Sequence, residues 1–142
     1  MIVRFQRLHP NAGIPTKAHP TDAGFDLTAV SRTYDDFGNI VYGTGIAVEI
    51  PKGYVGLVFP RSSICKYDIA LTNAVGVIDS CYRGEIMAKF KLTSGASRPD
   101  IYNEGDRIAQ LIIIPYPEVN FEESNALTET ERGAGGYGST GR

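Results

Sequence analysis

Short alternating apolar segments, each closed off by glycine or proline, constrain the fold of this chain more than any other feature. The clearest is Glu85-Ile86-Met87-Ala88-Lys89-Phe90-Lys91-Leu92, where Ile86, Ala88, Phe90 and Leu92 share one face and Lys89 and Lys91 the other. A period of two is that of a β-strand with one buried face. Ile46-Ala47-Val48-Glu49-Ile50 repeats the pattern and Val3-Arg4-Phe5 begins another. Tyr54 to Phe59 and Ile108 to Ile114 read as more deeply buried strands. Turn signals separate them at Asp36-Phe37-Gly38-Asn39, Pro51-Lys52-Gly53 and Asn103-Glu104-Gly105-Asp106. No segment sustains a helical apolar pattern over three turns. One short helix is predicted after Pro60-Arg61-Ser62-Ser63, with a serine capping Ile64 to Asp68. Many short strands with little helix imply an all-β sandwich or barrel, closed or doubled so that its edges are hidden.

A chain of 142 residues is expected to form one domain. With 42% hydrophobic and 21% charged residues it has the balance of a globular protein. The formal charge of -2 gives no basic surface for gripping nucleic acid. The longest apolar run, Leu111 to Ile114, is far short of the ~18 residues of a membrane span. The first residues lack the apolar stretch of a signal peptide, so a cytoplasmic location is expected, with neither nucleic acid nor membrane as partner. Cys65 and Cys81 are not CxxC-spaced, and His9 and His19 stand far from them, which disfavours a zinc site. Two reduced thiols are expected, with a single disulfide left open. Any metal is expected on carboxylates and phosphates.

From Phe121 onward the chain turns polar and then glycine-rich, ending Arg132-Gly-Ala-Gly-Gly-Tyr137-Gly-Ser-Thr-Gly-Arg142. Gly133 to Gly138 spells GxGxxG, but no strand precedes it and no helix can follow, so the dinucleotide reading fails on context. The resemblance of Gly136 to Arg142 to a phosphate-binding P-loop fails too, for want of a lysine and a helix. A disordered tail remains one reading. The other is a lid: Arg132 for phosphate, Tyr137 as a flat plate for a base, and Ser139 and Thr140 as hydroxyls, joined by accessible backbone amides.

Four further segments place polar groups at strand ends. DAGFDLTA (from Asp22) carries two carboxylates around a glycine, and PRSSI (from Pro60) supplies a cation, two hydroxyls and a helix start. NAVGVIDSCYRGE (from Asn73) is a hairpin-like turn, and GDRIAQLI (from Gly105) sets a glutamine inside a buried strand. Singly, Arg61 reads also as a surface charge, Asp79 as a turn former and Gln110 as a satisfied strand side chain. Together, in this order and with RGAGGYGSTG (from Arg132), they resemble the five motifs of the trimeric dUTPase family.

The resemblance spans residues 22–141. It implies a distorted β jelly roll, a homotrimer with active sites shared between subunits, and a single domain over 1–142 of which about 121–142 is an arm closing over a neighbour's site. It further implies hydrolysis of dUTP to dUMP and pyrophosphate, keeping uracil out of DNA and supplying dUMP. Water attacks the α-phosphorus in line, with Asp79 as general base and Mg²⁺ bridging the phosphates. Arg61, Ser62 and Ser63 match the phosphate loop, and Gln110 approaches the α-phosphate. Asp26 matches the motif-one carboxylate, which holds the metal through water or supports the site from behind; tying the turn at Gly24 is its ordinary role. The segment from Asn73 to Tyr82, with Gly76, Val77 and Ile78, pairs its backbone with the uracil edge, and Tyr82 packs on the sugar. Met87 lies where relatives line the base pocket, though a core role fits as well. Arg132, Gly138, Ser139 and Thr140 match the phosphate-holding arm, and Tyr137 its stacking aromatic.

Cys81 departs from the family, many of whose members have an acid directly before the motif-three tyrosine. Two rivals remain. A dCTP deaminase needs a glutamate seven residues beyond that tyrosine, where this chain has Lys89. A non-catalytic member that binds a regulatory protein partner would not need Asp79, Arg61 and the arm intact, and the motif spacings leave no insert.

Overall fold

The computed structural model describes residues 1–136. Its elements run β1 (Arg4–Arg7), β2 (Phe25–Thr28), β3 (Ser31–Tyr34), β4 (Ile40–Gly43), β5 (Ile46–Glu49), β6 (Tyr54–Pro60), a 3₁₀ turn (Ser62–Lys66), β7 (Ile69–Leu71), β8 (Gly76–Ile78), β9 (Met87–Leu92) and β10 (Arg107–Pro115). All pairings between these strands are antiparallel. They make two four-stranded sheets, β2-β10-β6-β8 and β3-β4-β9-β7, with β1 and β5 as a separate pair. The core lies between the sheets. Leu27, Val58, Ala109 and Leu111 come from the first sheet, Ile40, Tyr42, Ala88 and Phe90 from the second, and Ile46, Val48 and Ile50 from β5 and its end. The all-β sandwich expected from the alternating segments is the observed architecture.

The period of two holds on β9, where Ala88 and Phe90 are buried and Met87, Lys89 and Lys91 exposed. Leu92 departs from it: at the end of the strand it is half exposed rather than buried. β5 departs in the other direction. Ile46, Ala47 and Val48 are all buried, so neither face of β5 is left wet, while β1 pairs along its edge. The segment from Asn73 to Tyr82 is not a hairpin of its own. β7 pairs with β9 in one sheet and β8 with β6 in the other, so this stretch carries the chain across the sandwich. The helix predicted over Ile64 to Asp68 is a 3₁₀ turn that starts earlier, at Ser62, with Arg61 at its N-cap and no side-chain cap. Five residues are too few for a helix dipole of consequence, so its start is not a built anion site.

The β3–β4 turn shows how short polar side chains hold these connections. The Asp35 carboxylate accepts from the backbone N–H of Phe37 and Asn39 at 3.1 and 2.9 Å and from the Asn39 amide at 3.1 and 3.0 Å. Gly38 takes φ +77° at the tip, where a Cβ is disfavoured. Lys89 reaches across from β9 to the same carboxylate at 3.0 Å. The Asn39 side chain first, then its backbone N–H, Lys89 and Phe37 outweigh the opposing effect of burial and hold the Asp35 pKa at about 2, below the ordinary 3.8. A lowered native pKa stabilises the fold above the unfolded value, and that stabilisation is lost as pH falls through the native one. Between pH 3.8 and about 2 the wild type should therefore lose stability that Asp35→Ala does not have to lose. Thermal melting across that range is expected to show a shallower pH slope in the variant.

Candidate functional site

The middle of the first sheet gathers four polar residues on one face. β10 is hydrogen-bonded on both sides, with Gln110 opposite Asp26 on β2 and opposite Phe59 on β6. Asp26 is nearly buried and forms an ion pair with Arg61, Nε to Oδ1 at 2.7 Å and Nη2 to Oδ2 at 3.4 Å. Arg61 Nη1 donates to Ser63 Oγ at 3.3 Å, and Gln110 Nε2 donates to the Pro60 carbonyl at 3.0 Å. The side chains of Asp26 and Gln110 thus hold the start of the PRSSI segment from two directions. Asp22, Gly24, Asp26, Arg61, Ser62 and Gln110 line a cavity of about 340 Å³. Gly24 is required there by space: a Cβ would run into the Gln110 side-chain oxygen. The pocket is open and carries the Arg61 guanidinium and the Ser62 hydroxyl beside two carboxylates, Asp22 and Asp26.

A second cavity, of about 250 Å³, lies on other elements and is lined by Thr72, Asn73, Ile78, Tyr82, Glu85, Met87 and Lys89. β8 is an edge strand of its sheet among the described residues, so Gly76, Val77 and Ile78 have backbone groups on one side that β6 does not use. Gly76 packs closely against Val58, while the Val77 side chain points outward and is exposed. Tyr82 folds back over Gly84, where a Cβ would strike its ring, and donates its hydroxyl to the Glu85 carbonyl at 3.0 Å. Asp79 follows Ile78 directly and is exposed; its carbonyl accepts from the Tyr82 N–H at 3.1 Å, closing the turn. Met87 lines this cavity rather than the core. The Lys89 ammonium is engaged with Asp35, as described above.

The two cavities share no lining residue. Arg132 lines neither, and its Nε donates to Gly135 within its own turn at 3.0 Å. Tyr137, Gly138, Ser139 and Thr140 lie outside the described residues. Two participants were not singled out from sequence. Arg107 donates to Asp26 Oδ2 at 3.0 Å. Tyr102, in a cluster with Tyr42, Tyr67 and Phe90, has its hydroxyl buried beside Ser63 without completing a hydrogen bond. Burial raises its pKa, so it stays neutral. The sequence signal for Arg107 was its place two residues after Gly105 in GDRIAQLI; for Tyr102 there was none.

The donor set bears on a metal. Among the described residues no three His, Cys, Asp or Glu side chains come together as a ligand group. An ionised carboxylate offers about four lone-pair sites, and Asp26 already accepts three guanidinium contacts. What remains is room for one further contact, from a metal-bound water or an ion, and a single contact does not hold an ion by itself. These residues suit a cation brought in on phosphates.

A family model described as dUTPase matches residues 10–141. The deoxyuridine 5'-triphosphate nucleotidohydrolase of Rhodococcus erythropolis is 42% identical over 141 residues, 98% of this chain and 85% of that protein. A point variant of the Staphylococcus bacteriophage 80alpha dUTPase, solved with dUpNHpp, superposes with a TM-score of 0.85 at 26% identity, covering 99% of both chains. A variant dUTPase from phage phi11 of S. aureus, whose structure describes the coordination of a structural Mg(II) ion, gives a TM-score of 0.76 at 27% identity over 89% of this chain and 98% of that one.

The tight approach of Gly24 to Gln110 is directly testable. Gly24→Ala must push either β2 or the Gln110 side chain aside, and overpacking of this kind costs about 1–3 kcal/mol. Urea denaturation of the variant should show a loss in that range, while Gly13→Ala, which meets open space, should not.

Proposed function

We propose that this chain, which belongs to the dUTPase family, hydrolyses dUTP to dUMP and pyrophosphate. The observation that carries this reading is a set of two differently built cavities, each lined by motif residues: one that sets the Arg61 guanidinium and the Ser62 hydroxyl beside two carboxylates, fit for phosphates that arrive with a cation, the other edged by open strand backbone and fit for a base. Such a division of labour suits a nucleoside triphosphate.

In this reading Asp79 is the general base that takes the proton of the attacking water. Arg61, Ser62 and Ser63 hold the phosphates and Gln110 the α-phosphate side. Because the substrate is highly charged, much of the catalysis is electrostatic positioning in a site that need not reorganise. Mg²⁺, carried by the phosphates, supplies charge neutralisation when bound; Asp26 meets it through water. The backbone of Gly76, Val77 and Ile78, with Asn73, reads the uracil edge. A cytosine would leave those groups mispaired, and polar mismatches of this kind discriminate by ~10⁴ or more. Tyr82 packs on the sugar and Met87 closes the base pocket. Arg132, with Tyr137, Gly138, Ser139 and Thr140, forms the closing arm.

We further place the active site between subunits of a homotrimer. Two features support this. The cavities are separate on one chain. The segment after β10 also leaves Val119, Phe121 and Leu127 exposed, with Phe121 100% exposed, which suits an arm lying against a neighbour. The free thiols of Cys65 and Cys81 suit a reducing, cytoplasmic compartment. Among the described residues no helix is long and apolar enough to cross a membrane. Deamination is disfavoured because Lys89, at the position a deaminase needs for its glutamate, is held by Asp35.

Pyrophosphate and ammonia release from dUTP, dCTP, dTTP and UTP with Mg²⁺ tests the reading. Pyrophosphate from dUTP, without ammonia from dCTP, is the expected result; ammonia from dCTP would overturn it. Asp79→Asn should lower kcat roughly 10²- to 10⁴-fold with the melting temperature unchanged.

A further inference from the structure

Arg107 stands on the phosphate side of the site although strict alternation along the strand would not place it there. On a regular strand, residues three apart point to opposite faces, so Arg107 and Gln110 should be on opposite sides of the sheet. They are not, because the pairing of β10 with β2 slips between them. Arg107 stands opposite Thr28, Ala109 opposite Leu27 and Gln110 opposite Asp26, so Ile108 is an extra residue. Ile108 and Ala109 are consecutively buried, as an added residue demands. A β-bulge re-aims a side chain in this way. Its effect here is to bring Arg107, Thr28, Asp26 and Gln110 onto one face.

The geometry at Asp26 shows what that placement accomplishes. Arg107 Nη1 holds Oδ2 at 3.0 Å, while Arg61 reaches the same oxygen only at 3.4 Å and makes its short contact, 2.7 Å, through Nε to Oδ1. Oδ2 is therefore chiefly Arg107's. Arg61 is anchored through Nε, and because its fork is planar and moves as one unit, the longer Nη2 contact leaves N–H groups at the Nη1–Nη2 end for an anion. The side chain of Asp26 is 14% exposed and that of Arg61 23%, so this balance is set where water screens little. Arg107, at 54%, reaches in from the rim.

We infer that Arg107 is a positioning residue for phosphate binding, acting through Asp26 to set the orientation and donor availability of Arg61. The inference rests on the proposed function, since the anion Arg61 would receive is the substrate triphosphate. Without Arg107, the side-on contact of Arg61 with Asp26 is expected to tighten at Oδ2, turning the whole planar guanidinium and presenting a poorer face to the phosphates. A guanidinium acting through another residue differs measurably from one that touches the ligand or merely adds positive field: its effect disappears when the residue it serves is removed.

The test is a double-mutant cycle read by the calorimetric affinity for dUpNHpp with Mg²⁺, which does not depend on turnover. Arg107→Gln should weaken binding about 5- to 30-fold in the otherwise unaltered protein and less than 2-fold in an Arg61→Ala background, consistent with couplings of about 1–2 kcal/mol between groups in one ion-pair network. Arg107→Lys, which keeps the charge and one donor, should recover part of the loss and serves where Arg107→Gln is poorly folded. Equal losses in both backgrounds would overturn the inference in favour of direct contact or general field. No loss in the unaltered background, with melting unchanged, would overturn it outright. Unaltered protein that binds no dUpNHpp and releases no pyrophosphate from dUTP would instead fail the proposed function and take this inference with it.

Discussion

Strand β10 is paired along both edges, and the register of those two ladders decides where every charged group of the phosphate side stands. Its inward residues Ile108, Ala109 and Leu111 are sealed into the core. A slip by one residue would turn them to solvent and bring Gln110 inside. Burial of three apolar side chains therefore fixes a polar geometry: Gln110 must face Asp26, and through Pro60 the start of the 3₁₀ turn is tied to the same strand. The site is rigid because its register is not negotiable. Glycine at position 24 belongs to the same constraint, since only a residue without Cβ lets β2 begin so close to Gln110.

The base side is built on the opposite principle. β8 has three residues and one partner among the described residues, and an edge strand of that kind is ordinarily a liability for association. Its shortness limits that hazard, and in the proposed function its open backbone groups are the recognition surface. The connection into it is strained: Ala74 takes φ +60° and the Val75 N–H bonds back to the Asn73 carbonyl at 2.6 Å. A non-glycine residue in the left-handed region costs energy that the surrounding pairing must offset. The strain sits beside Asn73 and Gly76, where the chain leaves one sheet for the other. It sets the angle at which β8 presents its edge.

Much of this was legible before any coordinate. The alternation over β9, the turn at Asp36 to Asn39 and the five ordered motifs each act locally, so they are written locally in residue types. What escaped was non-local. β5 alternates on paper yet Ile46, Ala47 and Val48 are all buried, on both of its faces. Asn73 to Tyr82 looks like a hairpin, but the two strands on either side of its first turn belong to different sheets. Leu92 fits the apolar rhythm but lies at the strand's end, beyond the reach of β4 and paired only with Ile69 of β7. Arg107 is the sharpest instance. Strict alternation puts it opposite Gln110, and only the bulge, an irregularity with no composition signature of its own, brings the two together.

Cys81 illustrates the converse, a local departure whose side chain the three-dimensional arrangement turns away from the cavity of Asn73, Ile78 and Tyr82. It follows Asp79 in the turn, but its side chain does not line the cavity of Asn73, Ile78 and Tyr82; it faces a separate surface recess with Arg4, Glu49, Lys52 and Arg83. A carboxylate at position 81 would sit among cations there. In this chain Glu49, from the end of β5, already accepts Arg4 at 3.4 Å and Arg83 at 3.7 Å. The positive charges around the turn are thus matched from another strand, and the geometry of the turn depends on the Tyr82 N–H to Asp79 carbonyl bond, which is indifferent to the side chain between them. An uncharged residue at 81 therefore leaves out one member of an exposed ion-pair group, where single pairs contribute little, and the turn that carries Asp79 and Tyr82 does not depend on it.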